Sequence, residues 1–326
     1  MRNRRGGLLI SLDYEGYWGV RDKVSLAEFR RTNSEDRSII YQTLELFARY
    51  NIHATWAIVG MLFCKNGAEL LHSLPDCQPL YKNKNLSPYV NMEEIIQADE
   101  TENSHLFAPS EIGSIAATPH QEIASHTFSH YYCLEEGQES EHFKADLQAA
   151  VKIARAFNLS ITSLVFPRNQ INPNYLPICR DLGIKAYRGH HPHWIYQGDP
   201  RRKNQNVIWQ AVKFMDLFVN LSGHGAFSEA ELTSELPINI PASRFLRGYT
   251  KRLRFLKRLR LHRIKADLTY AGQRGLIYHL WWHPHDFATH KDEKFLFLRD
   301  ILEHFTDLKE KYEMESLNMA ELTERI

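Results

Sequence analysis

No apolar run in the 326 residues approaches the roughly 20 that a bilayer-crossing helix needs. The basic start, MRNRRGG, is followed only by LLI before Ser11 and Asp13, too short a stretch for the apolar core of a secretory signal. A cytoplasmic protein is therefore expected. Cysteine is sparse: Cys64, Cys77, Cys133 and Cys179 show no CxxC or other paired ligand spacing, which argues against a disulfide scaffold and for free, buried thiols. Charge of one sign is lacking too, since the formal net charge is only +1 and names no partner. No internal repeat is apparent. What remains is an ordinary globular composition, 43% hydrophobic and 24% charged, in a chain long enough for one large α/β domain or two small ones.

The periodicity is that of alternating strands and helices. Leu8 to Leu12 reads as a buried strand. Ser34 to Tyr50 follows with Ile39, Ile40, Leu44 and Phe47 at helical spacing, and IHATWAIV then reads as a second buried strand. This βαβ start implies a parallel sheet. Residues 61–119 are rich in Asn, Pro, Ser and Asp, with a short helix expected over Met92 to Ala98; an insertion over the mouth of a site is the expectation. From Gln121 the alternation resumes. Ser140 to Phe157 is predicted as a helix burying Phe143, Leu147, Ala150, Val151 and Ala154. SLVFP and IKAYRG are predicted as strands around a helix at Asn174 to Leu182. Trp209 to Leu221 reads as strand material, Arg274 to His283 as the final strand and Lys294 to Tyr312 as the closing helix.

Two constellations carry chemistry. In HQEIASHTFSHYYC, His126 and His130 stand four apart, a spacing that stacks both imidazoles on one face of a helix or helical turn and supplies half of a metal site. In LLISLDYEGYW, Asp13 and Glu15 are two apart, on one face of an extended chain, just past an apolar run. That is the C-terminal tip of the first strand, the edge where α/β folds gather their sites.

Five segments in order resemble the polysaccharide deacetylase family (NodB-like, carbohydrate esterase family 4): SLDYE, IHATWAIVG, EIASHTFSH, FPRNQ and WWHPHDF, spanning residues 8 to 287. The resemblance implies a single catalytic domain over 1–326, with the fold of a distorted (β/α)7 barrel. It implies hydrolysis of an N-acetyl or N-formyl group on an amino sugar. Glu15, His126 and His130 would hold one divalent metal, with Zn the first choice and Ni, Co or Fe open. Asp13 would be the general base, Arg168 its ion-pair partner and His283 the general acid, with His285 the rival for that last role. Trp281, His285 and Tyr131 would line the substrate. The family commonly has adjacent aspartates where this chain has Asp13-x-Glu15, which leaves the division of labour between the two acids open. FPRNQ lacks the usual proline-tyrosine after the arginine, so no oxyanion donor is assigned. A non-catalytic carbohydrate-binding protein on the same fold is the alternative.

Residues 244–265 contain ten Lys or Arg and no acid. Phe245, Tyr249, Leu253, Leu256 and Leu259 recur at helical spacing, with Arg247, Lys251, Arg254 and Arg258 opposite. A basic amphipathic helix of this kind is expected on an anionic membrane surface at the inner face of the plasma membrane, in preference to a core-packed helix with a solvated face. No nucleic-acid fold signature accompanies it. A lipid-linked sugar intermediate of cell-surface polysaccharide synthesis is the substrate that fits both features.

Overall fold

The computed structural model describes residues 5–33, 36–90, 92–96, 105–196, 207–247 and 256–326. Nine strands are described: β1 (Gly7–Tyr14), β2 (Ala54–Ile58), β3 (Gln121–Ser125), β4 (Ser163–Leu164), β5 (Ala186–Gly189), β6 (Ile238–Pro241), β7 (Arg244–Phe245), β8 (Ile277–Trp282) and β9 (Glu315–Leu317). The helices are α1 (Leu26–Thr32), α2 (Asp36–Tyr50), α3 (Gly67–Ser73), α4 (Glu93–Ile96), α5 (Pro109–Ala117), α6 (Ser140–Ala156), α7 (Leu176–Asp181), α8 (Val207–Met215), α9 (Lys257–Arg274), α10 (Lys291–Tyr312) and α11 (Met319–Thr323).

The strands form one curled sheet in the order β6-β5-β4-β3-β2-β1-β8-β7, every pairing parallel. All eight residues of β1 are buried, as expected of a strand covered on both faces. β9 runs beside residues 7–9 of β1, below the point where β2 takes over the pairing. The two ends of the strand order meet through Ala242 and Ser243. The Ala242 amide donates to the Gly189 carbonyl at 3.2 Å, and that of Ser243 to His279 at 2.9 Å, so the chain crosses from β5 to β8 and closes the curl. This is the distorted (β/α)7 barrel that the sequence predicts.

The helices predicted most clearly are formed. In α6 the expected inward residues Phe143, Leu147, Ala150, Val151 and Ala154 are all buried; each large apolar side chain so removed from water contributes about 1.5–3 kcal/mol. Ile39, Ile40, Leu44 and Phe47 of α2 are likewise in the core. Three expectations fail. Residues 207–215 are the helix α8, not a strand: a short apolar run has no period that separates the two. α5 is not part of an insertion but a layer helix before β3, with Ile112 and Ile115 wholly buried, so the irregular stretch ends near residue 108.

The basic segment is the third. It is not one helix: Arg244 and Phe245 form β7, and α9 begins only at Lys257. Lys251 and Arg254 lie outside the described residues. Arg247, Arg258 and Leu259 are exposed. Arg244 and Arg263 are buried against Asp267 and Asp216, acids from outside the segment, so the cations are not wholly unbalanced.

Candidate active site

The parallel barrel brings the C-terminal ends of its strands to one rim, and the polar residues of the sequence motifs meet there. Asp13, near the end of β1, is buried together with Arg188 of β5. The guanidinium grips the carboxylate with both nitrogens, Nη1 to Oδ1 at 2.6 Å and Nη2 to Oδ2 at 2.7 Å. Nη1 also donates to Ser11 Oγ at 3.1 Å and Nη2 to Asn169 Oδ1 at 3.3 Å, while the ring of Trp281 covers the guanidinium at 4.0 Å. Burial pushes the Asp13 carboxyl upward, but Arg188, with His126 and His283, outweighs it and leaves Asp13 below the usual carboxylate range. Asp13 is thereby held ionised.

This corrects the expected pairing. Arg168 does not reach Asp13; it pairs with Asp22 and lies over the Tyr132 ring at 4.4 Å. Tyr132 in turn places its hydroxyl 3.1 Å from His130 Nδ1, so Arg168 acts on the site at one remove.

Glu15 sits one residue beyond β1, with Gly16 at φ +54° immediately after it. A side chain at Gly16 would collide with the His105 carbonyl, and a methyl at Gly19 would overlap the Glu15 carboxylate itself. The two glycines thus leave room for the carboxylate to turn inward. Its Oε1 lies 3.0 Å from His126 Nε2 and 3.2 Å from His130 Nε2. The histidines are brought together as predicted, but not by a helix. Residues 126–130 form a loop after β3 in which Thr127 and His130 have positive φ, 61° and 59°. Asp146 of α6, which sequence reasoning missed, holds the loop: it accepts from the Phe128 amide at 2.7 Å and from the Ser129 hydroxyl.

The donor set fits a divalent cation. His126 Nδ1 faces the Val165 carbonyl at 2.8 Å, and a carbonyl can only accept. A proton therefore belongs on Nδ1, which leaves Nε2 as the nitrogen that can offer a lone pair to a cation. Burial pushes His130 down to about 4, so that ring is neutral near pH 7. Lone pairs converging at 3.0–3.2 Å require a cation, or a proton, between them. A histidine whose second nitrogen is fixed by a backbone carbonyl is also the usual arrangement of a metal ligand.

His283 stands at the end of β8 as expected. His279, Trp281 and His283 share the inner face of the wall, His279 deepest and bonded to Ser11 Oγ at 2.8 Å. His283 Nε2 lies 3.8 Å from Asp13 Oδ2 and 3.7 Å from Glu15 Oε1, and its Nδ1 is 3.0 Å from Asp286 Oδ2. Burial opposes the imidazolium, yet Glu15, Asp286 and Asp13 outweigh it and raise His283 to about 9. His285 stacks on the His283 ring at 5.0 Å. Tyr131 does not line the site. It is fully buried against Phe143, its hydroxyl tied to Gln138 at 2.9 Å.

The parallel barrel thus carries on its C-terminal rim a His-His-carboxylate cluster that could hold a metal, beside the buried Asp13 and His283. The sequence profile of the family described as "Polysaccharide deacetylase" matches residues 33–187, which include the histidine motif. That match covers just under half of the chain, which is similar there to the polysaccharide deacetylases. No curated protein sequence matches it. Among solved structures, one assigned as a polysaccharide deacetylase from Mycobacterium smegmatis shares the fold with a TM-score of 0.63 at 11% identity, covering 100% of this chain and 92% of the other. Another so assigned, from Pseudomonas aeruginosa PAO1, has a TM-score of 0.56 at 14% identity, covering 99% and 91%. PuuE allantoinase has a TM-score of 0.57 at 12% identity, covering 99% and 90%.

Proposed function

We propose that this protein is a divalent-metal-dependent hydrolase that removes an N-acetyl or N-formyl group from an amino sugar. The observation that carries the reading is the convergence of an ionised Asp13, a protonated His283 and the Glu15–His126–His130 cluster on one rim. His283 Nε2 stands within 3.8 Å of both carboxylates. Asp13, its two oxygens fixed by Arg188, takes a proton from the attacking water. His283, charged below about pH 9, gives a proton to the departing amine nitrogen, which cannot leave as an amide anion. Asp286 orients the ring by holding Nδ1 and directs Nε2 at the reacting atoms. Trp281, held flat by Arg188, offers a face to a sugar ring. Glu15, His126 and His130 would hold the metal, zinc being the first candidate; when bound it supplies a Lewis acid that polarises the acyl carbonyl and acidifies water.

The substrate is read more finely as a lipid-linked intermediate of cell-surface polysaccharide synthesis, met at an anionic membrane surface. Arg247 and Arg258 are exposed, and Phe214, Met215, Val219 and Leu221 present apolar side chains to solvent on and just after α8. No helix among the described residues is long and apolar enough to cross a membrane. Elemental analysis tests the first reading: about one metal equivalent in the wild type, absent from His126→Ala/His130→Ala, is expected. A deacylation screen tests the second, since activity on soluble nucleotide sugars but none on lipid-linked ones would remove the lipid from the account.

A further inference from the structure

The opposite end of the barrel carries a second group of donors that the proposed reaction does not touch. His53 immediately precedes β2 and His120 immediately precedes β3, and these strands pair in parallel from Ala54 beside Gln121. That register sets the two histidines side by side at the N-terminal end, one strand spacing apart. Their rings stack at 3.9 Å with only 2° between the planes. Glu321 of α11 completes the group, both its oxygens lying 2.8 Å from His53 Nδ1. One donor atom from each of the three residues falls within 4.8 Å of the others. His120 and His126 are six positions apart, roughly 20 Å of extended chain, so this group is distinct from the one on the C-terminal rim.

Hydrogen bonds fix each of the three. The His53 amide donates to Ser316 Oγ at 2.9 Å, the His120 carbonyl accepts from the Ala54 amide at 3.2 Å, and Glu321 Oε2 accepts from the Asn318 amide at 3.0 Å. Burial pushes the Glu321 carboxyl upward, but the bonds from His53 and Asn318, with the charges of His53 and His120, outweigh it and hold it below the usual carboxylate range. We propose that His53, His120 and Glu321 form a second cation site, for a divalent ion of the zinc, nickel or copper type. Two imidazoles and a carboxylate suit such an ion, whereas magnesium and calcium take oxygen ligands. An ionised carboxylate only accepts, so the His53 proton stands on Nδ1; the entering ion takes its place and the ring carries its proton on Nε2 instead. In a tetrahedral set the donors stand about 3.4 Å apart, so closing on the ion takes a shift of an ångström or so. The stacked rings aim their lone pairs side by side, and His120, which is exposed, brings them to one point by turning. The ion then ties the starts of β2 and β3 to α11. With three ligands and an exposed histidine this site is the weaker of the two, filling on added metal beyond the one equivalent expected of the purified protein. The inference does not depend on the reaction or the substrate.

Calorimetric titration of the full, metal-stripped chain with zinc tests this without turnover. The wild type should take up two equivalents, in steps at least about tenfold apart in affinity. His120→Asn removes the imidazole, and asparagine tolerates the positive φ of 65° at that position. It should lose the weaker step and keep the tighter one. His126→Ala/His130→Ala should do the reverse. Zinc should also raise the melting temperature of His126→Ala/His130→Ala, and adding His120→Asn should cancel that rise. Magnesium should neither fill the weaker step nor compete for it. A weaker step unchanged by His120→Asn, one that magnesium displaces, or a single step that His126→Ala/His130→Ala removes entirely overturns the proposal. A wild type whose only step is the one lost in His120→Asn upholds it and removes the metal from the active site instead, so the two readings fail separately. Should His126→Ala/His130→Ala not fold, the comparison of wild type with His120→Asn decides alone.

Discussion

Replacing Arg188 by methionine separates the pairing found in the barrel from the one expected between Arg168 and Asp13. Arg188 and Asp13 form a bidentate pair at 2.6 and 2.7 Å with almost no solvent access. Removing one partner of such a pair costs about 3–5 kcal/mol, because the other is left charged and buried. At about 2.1 cal/mol/K per residue over 326 residues, that is a fall in Tm of roughly 4–7 °C near neutrality. The deficit should depend on pH. In the wild type the folded pKa of Asp13 lies below its unfolded value, so its contribution is present above about pH 4 and fades as pH falls through the folded value. In Arg188→Met burial acts unopposed by the arginine, the folded pKa rises above the unfolded one, and stability declines as pH rises from about 4. The gap between variant and wild type should therefore be small at pH 4 and full at pH 7, read by calorimetry in the presence of a chelator. Asp13→Asn/Arg188→Met should recover most of the loss. A gap independent of pH, or no recovery on adding Asp13→Asn, would falsify the assignment of Arg188 as the partner of the base.

Other outcomes follow from the same geometry. Deacylation should decline as pH rises through the His283 value, about 9 without a cation at Glu15; a bound cation would offset part of the carboxylate charge and bring that limb lower. Asp286→Asn removes one of the groups that raise His283, so the alkaline limb should move to lower pH with the acid limb unmoved, as a pH–rate profile would show. Gly19→Ala places a methyl where the Glu15 carboxylate lies and should weaken metal binding about tenfold or more, with the melting curve nearly unchanged in chelator; unchanged metal affinity would contradict the role of that glycine as a space for the carboxylate. Asp146→Ala should release the 126–130 loop, lowering both metal affinity and Tm by the loss of the buried bonds to Phe128 and Ser129.

How much of this is legible in the sequence depends on the range of the interaction. The parallel topology sends every motif-bearing strand end to one rim, so Asp13, Glu15, His126, His130 and His283 are recognisable from local pattern: a polar residue just past an apolar run has no packing reason to be there. Partner choice across the barrel has no such local mark. Arg168 follows a short apolar strand and Arg188 lies within one, and only the sheet order with its register brings Arg188 to Asp13 of β1 while Arg168 pairs with Asp22. A signal for Arg188 does exist, since IKAYRG carries an arginine inside an apolar strand, and such a cation must find a buried acid. The same reasoning explains the basic segment. Its net charge looks unbalanced within a 22-residue window, while the balancing acids, Asp216 and Asp267, lie outside that window and face it only once α9 packs against β7 and β8. Charge counted along a chain measures repulsion only when the counter-charges are equally local. In this barrel the charges that matter most to the chemistry, Asp13 with Arg188 and Glu15 with His126 and His130, are joined across 111 to 175 positions.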